Sequence, residues 1–420
     1  MTNLTSIEAP KNSHPLVYLL LIIPFGASMG FLTVTVVYLL GRAGVDAVAI
    51  AALVALSFLP HTLKFLYAPL VDLTLTRKKW FGLSSITSAI SLAMLGWVPA
   101  IEANLPWLEV LVLASGISTA FLSMSVESLM AHNTSPEQLG RTGGWFQAGN
   151  LGGGGLGGGL ALVIAENTTH QWLPGLVLAT ICLLTGLAVR YTHEPQQEPA
   201  PQAPTVQPVG IMAQFQLAWN GLKIVFLDLW QVAKSHRGFL GLFICFLPIG
   251  SGAAGILFPL IAEEWGANAN DVAVTSGVLS GLLSALGCLV GGYLCDRIDR
   301  KIAYCLFGLF MSVCSVGMAW APHNLSMYYV FVMAYAFITG LGYAAFTAVT
   351  LEAIGTGAVA TKFSIFASLS NTPIAYMGLL NSYFYKNAGS NAGLYSDAAM
   401  GVAGVMLFLL IRKIIPFRNS

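Results

Sequence analysis

The chain has 420 residues, of which 56% are hydrophobic and 9% are charged, and its formal net charge is +1. Soluble domains carry roughly a quarter charged residues, so this composition predicts a polytopic membrane protein. A net charge this small provides no basic surface for nucleic acid, which excludes a role in binding it. The sequence contains no nucleophile–base pair and no metal-ligand spacing, so we predict neither an enzyme nor a metal or other cofactor.

Apolar runs long enough to cross about 30 Å of hydrocarbon occur along the whole chain. In the first half they lie near residues 15–40, 47–71, 80–99, 107–131, 143–165 and 172–190. In the second half they lie near residues 238–262, 273–295, 302–321, 326–350, 363–385 and 397–415. We therefore predict an all-α fold of twelve transmembrane helices in two six-helix bundles, spanning residues 15–191 and 237–415.

Residues 192–236 form the predicted linker between the bundles. Five prolines between Thr192 and Gly210 are typical of an extended tether. Residues 211–234 carry apolar side chains at steps of four and three, which favours an amphipathic helix on the membrane surface over another span. Basic residues concentrate on the linker's side of the membrane, so we expect cytoplasmic termini at 1–14 and 416–420 and a bacterial inner-membrane location.

Several features recur about 224 positions apart. The recurring pairs are Pro24-Phe25-Gly26 with Pro248-Ile249-Gly250 (248 − 24 = 224), Asp72 with Asp296 (296 − 72 = 224), Glu127 with Glu352 (352 − 127 = 225), Arg141 with Lys362 and Asn150 with Asn371 (both 221). A duplicated membrane bundle is expected of a secondary transporter. The two Pro-x-Gly motifs, with Pro24 and Gly26 in the first helix and Pro248 and Gly250 in the seventh, predict helix kinks beside a central cavity.

The segment from Gly292 to Lys301 resembles the loop signature of the major facilitator superfamily, G-x-x-x-D-R-x-G-R-K, with Asp299 replacing the second glycine. Its copy between Ala68 and Lys79 keeps the aspartate and the basic run. In such folds a carboxylate at one helix end faces the positive N-terminus of another helix. Asp72 would then face the start of the eleventh span near Lys362, and Asp296 the start of the fifth near Arg141.

We expect these contacts to form a gating clamp that closes the inner side and breaks when the two halves rock. Its predicted members are Asp72, Arg77, Asp296, Arg297, Arg300, Arg141 and Lys362. The alternative is that the basic residues only anchor the topology.

Glu127 and Glu352 lie near the inner ends of the fourth and tenth spans, where a carboxylate needs a partner or a function. They could bind substrate or protons in the cavity. We favour the other interpretation, in which both join a gating salt-bridge network with Asp72 and Asp296.

Lys64 breaks the repeat, because its counterpart at 64 + 224 = 288 is a cysteine. Lying about 12 Å deeper than Asp72 on one helix, it should face a polar cavity and hold an anionic group or take part in proton coupling. A private pair with a carboxylate is the alternative. His61, one turn away, is expected to be a packing histidine more than a proton relay. Asn150 and Asn371 could contact substrate or join helices by hydrogen bonds.

Glycines crowd the fifth span, at 152–155 and 157–159. No Gly-Lys-Ser/Thr follows, so a phosphate-binding loop is a poor interpretation. Close helix packing is the better one.

The run from Leu59 to Asp72 resembles the L-P-x-x-L-K-F-x-W-A-P-L-x-D stretch of the AmpG-type permeases, with Tyr67 replacing the tryptophan. This resemblance implies proton-coupled import of a polar, anionic solute such as a muropeptide, by a monomer working through alternating access. The expected partners are the small-molecule solute, H⁺ and the lipid bilayer. A siderophore permease, a drug or metabolite exporter of the same fold, and a non-transporting receptor or scaffold remain the alternatives.

Overall fold

The computed structural model describes residues 13–194, 211–355 and 357–414. Within these ranges, eleven helices are long and apolar enough to cross a membrane. In the first half they are α1 (Pro15–Arg42), α2 (Ala47–Leu73), α3 (Arg77–Trp97), α4 (Leu105–His132), α5 (Leu139–Asn167) and α6 (Leu173–Tyr191). A helix in the linker, α7 (Ile211–Lys234), and a shorter one, α8 (His236–Phe246), follow. The second half continues with α9 (Asn270–Cys295), α10 (Arg300–Trp320), α11 (Leu325–Ile354), α12 (Val359–Ala388) and α13 (Ser390–Ile414).

The predicted seventh span is not one continuous helix. Its helix α8 ends at Phe246, and short helical turns resume only at Ala253–Ile256. Between them, Pro248 is followed by Gly250 and Gly252 with φ of +60° and +73°, a backbone conformation that glycine adopts without a Cβ clash. The kink expected at Pro248 is therefore a complete break, whereas Pro24 lies inside an unbroken α1. Non-helical backbone at this depth has to be covered by protein or line a cavity.

The glycine-rich helix α5 lies between α1 and α9 and joins the two halves. A Cβ added to Gly157 would lie 2.1 Å from the backbone oxygen of Ala27 in α1. On the opposite side of α5, a Cβ at Gly144 would lie 2.5 Å from the backbone oxygen of Cys288 in α9. Backbones approach this closely only where side chains are absent, as in small-residue membrane interfaces.

Both described ends of the chain lie at the same end of the bundle. Ser13 donates its N–H to the carbonyl of Asn133 after α4, and Arg412 near the end of α13 lies 3.5 Å from Asp299 before α10. Asp72 and Asp296 also end their helices here, so we name this the clamp end.

The linker helix α7 is not among the eleven candidate spans. Of the apolar stripe predicted for it, Val225 and Val232 are buried, while Trp219, Phe226 and Trp230 outside that stripe are exposed. The stripe therefore packs against protein, and the aromatic side chains form the face available to lipid. The sequence pattern alone predicted that the apolar stripe would face the lipid.

Substituting Gly157 with alanine should destabilise the α1–α5 contact by about 1–3 kcal/mol, because the new methyl group would overlap the Ala27 backbone. Gly154→Ala is the matched control: its Cβ would lie 3.8 Å from the Gly26 oxygen, which is ordinary contact. Thermal unfolding of the two variants in detergent should show a lower midpoint for Gly157→Ala alone. Equal midpoints would contradict this packing.

Candidate functional site

A cavity lies between the two bundles, where it is lined by helices of both. Its polar wall consists of His61, Lys64, Ser123, Glu127, Gln147, Asn150, Ser251 and Asn371, and its aromatic wall includes Phe25, Phe146, Tyr304, Tyr343, Phe346 and Phe363. The broken seventh segment contributes Gly250 and Ser251, so its irregular backbone lines a cavity, as membrane proteins require. Asn371 is exposed, so the cavity is open beside it.

Lys64 and Glu127 form an ion pair in the wall of this cavity. The Lys64 Nζ lies 2.9 Å from Glu127 Oε1, and the two side chains are only 9% and 4% exposed. The second oxygen, Glu127 Oε2, is buried and has no hydrogen-bond partner among the described residues. The Lys64 ammonium also lies 5.9 Å from the ring centroid of Phe363 across the cavity, in α12. One charge pair from the first half thus faces the second half directly.

This geometry corrects the interpretation of Glu127 favoured from sequence. Glu127 forms its ion pair with Lys64 and not with Arg141, and it belongs to the cavity rather than to the clamp end. The alternative left open for Lys64, a pair with a carboxylate, is the one observed. Because that pair lines the cavity, a solute in the cavity can contact it.

Three other predicted residues line the cavity with different surroundings. His61 packs edge-on against Phe25, with ring centroids 4.9 Å apart, and its Nδ1 is buried without a partner among the described residues. Asn150 donates to the Gln147 side chain at 2.9 Å, and Gln147 in turn donates to Thr347 of α11 at 2.8 Å. Gln147 therefore bridges the halves and Asn150 orients it, while Asn371 lines the opposite wall.

The two repeated aspartates cap helices of the opposite bundle. Asp72 accepts hydrogen bonds from the backbone N–H groups of Ala360 and Thr361, at 3.0 and 2.9 Å, at the start of α12. Asp296 accepts from the N–H groups of Gly140 and Arg141, at 2.8 and 3.2 Å, at the start of α5. In each case the donors are the second and third residues of the helix, whose N–H groups lack intrahelical acceptors. Each cap therefore satisfies orphan donors and places a negative charge at a positive helix end.

The basic members of the predicted clamp differ in their contacts. Arg141 Nε lies 2.7 Å from Asp296, as expected. Arg300 and Lys301 both pair with Glu352, at 3.2 and 2.9 Å, and Arg300 also donates to the carbonyl of Pro136 in the other half. Glu352 therefore belongs to the clamp end, unlike its repeat partner.

Two basic residues, by contrast, do not contact the aspartates. Arg297 stacks on Tyr293, 3.4 Å from its ring centroid. The buried side chain of Arg77 donates to Ser128, and the Arg77 N–H donates to Glu194, which caps α3.

Asp72 faces the start of α12 near Lys362, as predicted, but the Lys362 side chain pairs with Asp228 of the linker helix at 3.0 Å. Asp228 also accepts from the N–H of Ala358, which is two residues before the first donor bound by Asp72. The N-terminus of α12 is therefore held by two carboxylates, one from α2 and one from α7. The sequence pattern alone did not identify Asp228 as part of the clamp.

These features define a helical bundle with a polar cavity between two similar halves, as in membrane transporters. A sequence profile of the Major Facilitator Superfamily matches residues 16–378 and 240–419. The chain therefore belongs to the Major Facilitator Superfamily and is a secondary transporter, not an enzyme.

Two relatives by sequence span most of the chain. The anhydromuropeptide permease of Escherichia coli K12 is 22% identical over 370 residues, 85% of this chain and 71% of that protein. An uncharacterized protein of Haemophilus influenzae is 24% identical over 379 residues, 86% of both chains. The resemblance to AmpG-type permeases inferred from one short run thus extends over most of the chain at low identity.

Solved structures share the fold. The human organic anion transporter MFSD10 (TETRAN) superposes with a TM-score of 0.70 at 18% identity, covering 94% of this chain and 98% of that one. The E. coli fucose:proton symporter FucP superposes with a TM-score of 0.68 at 14% identity, covering 95% and 98%. These similarities establish the all-helical multi-pass fold.

Removing one charge of the cavity pair should cost more stability than removing both. Lys64→Ala leaves Glu127 buried and unpaired, a loss of about 3–5 kcal/mol, and Lys64→Ala with Glu127→Ala should recover part of it. Thermal unfolding in detergent measures both. The exposed pair Arg42–Glu166, also 2.9 Å apart, is the matched control, and Arg42→Ala should cost no more than about 1 kcal/mol. A double variant less stable than Lys64→Ala would contradict this account.

Proposed function

We propose that this transporter imports a polar, anionic solute of the muropeptide class together with protons, across the bacterial inner membrane. The observation that carries the proposal is the Lys64–Glu127 ion pair, buried but facing the cavity between the halves. The similarity to the anhydromuropeptide permease supports the solute class.

The pair supports a simple coupling rule. With Glu127 ionised and the cavity without solute, the charges of Lys64 and Glu127 cancel. With Glu127 protonated and a solute anion on Lys64, the charges cancel again. If only the proton or only the solute binds, one charge remains unpaired, which costs about 2.5–3.5 kcal/mol at bilayer depth on insertion scales.

This rule makes proton and anion binding cooperative. The unpaired-charge cost is avoided only in the empty and the doubly bound states, so binding of either one strengthens binding of the other, equally in both directions. Cooperative binding at one site favours symport, whereas an exporter driven by proton exchange needs the two to compete. Because protons flow inward down their gradient, a symporter with this cooperative binding imports its solute.

The cavity wall suits a polar solute with sugar rings and an acidic group. Gln147, Asn150 and Asn371 present amides that donate and accept hydrogen bonds. Tyr304 and Tyr343 add aromatic faces beside them. The Lys64 ammonium, once released from Glu127, is the counter-ion for the acidic group.

The clamp end supports an alternating-access gate. In this structure both caps are formed, with Asp72 on α12 and Asp296 on α5, so the halves are held together there. Basic residues concentrate at the same end, which supports its assignment to the cytoplasmic side. Release of solute inward then requires both caps to break.

A transport assay tests the coupling rule directly. Purified protein in liposomes under an imposed pH gradient should accumulate a radiolabelled anhydromuropeptide. Glu127→Gln mimics the protonated carboxyl, so it should retain solute exchange but lose gradient-driven accumulation, by roughly tenfold or more. Lys64→Ala should lose both, because the solute anion has no counter-ion. The combined Arg42→Gln and Glu166→Gln control should transport normally.

Accumulation by Glu127→Gln at the normal level would refute the role of Glu127. Uptake that ignores the pH gradient in the unaltered protein would refute proton coupling. Transport of a ferric siderophore but not of the muropeptide would overturn the solute class.

Native Cys295, which adjoins Asp296 and is 1% exposed, can report on opening of the clamp end. Asp296→Asn removes charge-assisted hydrogen bonds worth about 1.5–3 kcal/mol, so a membrane-permeant maleimide should label Cys295 about tenfold faster or more. Cys182, buried within the first half, should label at an unchanged rate. Equal labelling of Cys295 with and without Asp296 would contradict the gate.

A further inference from the structure

Asp397 is a second carboxylate buried inside the bundle, in α13 of the second half. It is 7% exposed and lies two turns from the start of its helix, towards the end opposite the clamp. Across the described ranges, no lysine, arginine or histidine forms an ion pair with it. A carboxylate without a cationic partner at this depth is costly in its charged form and is a candidate functional site.

Neutral donors from three other helices surround this carboxylate. Ser315 of α10 donates at 2.9 Å, Asn381 of α12 at 3.1 Å and Tyr335 of α11 at 3.4 Å. Ser396, its neighbour on α13, donates to the Asn381 amide oxygen. The other titratable groups near it are the Tyr335 hydroxyl and the Cys314 thiol.

Tyr335 connects this cluster to the cavity. Its hydroxyl donates to Asp397 and accepts a hydrogen bond from the N–H of Ala254 at 3.2 Å. Ala254 lies in the first helical turn after the break in the seventh segment, and Gly250 and Ser251 of that break line the cavity. Ser251 in turn accepts from the N–H of Ala253 at 3.3 Å. A continuous path of contacts therefore runs from Asp397 to the wall of the solute cavity.

Protonation of Asp397 conflicts with this arrangement. The ionised carboxylate accepts every bond around it, whereas a carboxylic acid must donate one. The hydroxyl of Tyr335 or of Ser315 would have to turn from donor to acceptor. If Tyr335 turns, its oxygen accepts the hydrogen bond from the Asp397 O–H, which then competes with the Ala254 N–H for that oxygen. Ala254 is fully buried, so its N–H is costly to leave unpaired.

We propose that Asp397 is a second proton-binding site of this transporter, and that Tyr335 transmits its protonation to the broken seventh segment beside the cavity. Deprotonated Asp397 holds Ala254 through Tyr335, and protonated Asp397 releases it. The glycines at the break, with positive φ, allow the segment to move as a hinge. This inference rests on the proposed proton coupling, but its test requires no solute, so it can fail independently of the solute class.

Two measurements on the full chain in lipid nanodiscs test the proposal. Infrared difference spectra between acidic and alkaline pH should contain a carboxylic C=O band that Asp397→Asn removes. Spin labels on Val48→Cys and Glu264→Cys, two exposed positions at the end opposite the clamp, should report two distance populations. Their ratio should change about tenfold between the two pH values in otherwise unaltered protein.

The variants separate a proton site from a structural hydrogen-bond cluster. Asp397→Asn should make the distance ratio independent of pH, while Glu127→Gln should leave the Asp397 band in place. Tyr335→Phe keeps the carboxylate, so it should retain the infrared band but lose most of the change in distance. Tyr329→Phe, which removes the bond to Asp271 at 2.8 Å, is the matched control and should behave as the unaltered protein.

Persistence of the full pH response in Asp397→Asn would overturn the proposal. So would a C=O band that is the same with and without Asp397. If Asp397→Asn does not fold, Tyr335→Phe decides the transmission step, since a normal pH response in that variant excludes it.

Discussion

The ion pair between Lys64 and Glu127 places two opposite charges 2.9 Å apart inside a bundle whose buried side chains are mostly apolar. Neither charge is tolerated alone at this depth, so α2 and α4 must stay packed wherever the two halves move. The pair lies in the wall of the cavity, beside other polar side chains. Gln147 and Asn150 supply polar groups on the same side of the cavity, and α5 carries both of them. The glycines of α5 then bring α1 and α9 close enough to enclose the space.

At the clamp end, backbone N–H groups at helix termini also need partners. Asp72 and Asp296 each satisfy two N–H groups that α12 and α5 cannot satisfy themselves. Because each aspartate and its donors belong to different halves, these bonds hold only while the halves are together. The linker helix adds Asp228 to the start of α12 and has no counterpart at the start of α5 in the described residues. The two caps are thus related by the repeat, but their partners differ, and the linker is part of the closed arrangement.

The sequence predicted the class of fold and the two caps, because both depend on patterns that can be read from the sequence. These patterns are the length of the apolar runs and a repeat at a nearly constant offset. It failed where contacts depend on boundaries or on packing. Glu127 was assigned to the clamp because only its distance along the chain was known, whereas Lys64 lies 63 positions away in sequence. Asp397 was overlooked because the last span was predicted to begin at that residue, where an acidic side chain would reach water. The helix begins at Ser390, which moves the same carboxylate into the bundle. The Pro-x-Gly motif did mark the seventh segment, but its two positive φ values turn a kink into a break.

The repeat and its exceptions together suggest how the two halves divide the work. Residues that recur, Asp72 with Asp296, cap helices of the opposite half and act on the relative position of the bundles. Two carboxylates without equivalent positions in the repeat, Glu127 and Asp397, lie within single halves. Glu127 lines the cavity directly, whereas Asp397 reaches its wall through Tyr335 and the backbone at Ala254 and Ala253. A transporter built only from repeated elements would present the same charge to both sides of its solute. The Lys64 ammonium in one half and the break in the other make the cavity asymmetric. Under the proposed function, the first half would hold the solute anion while the second half closes over it.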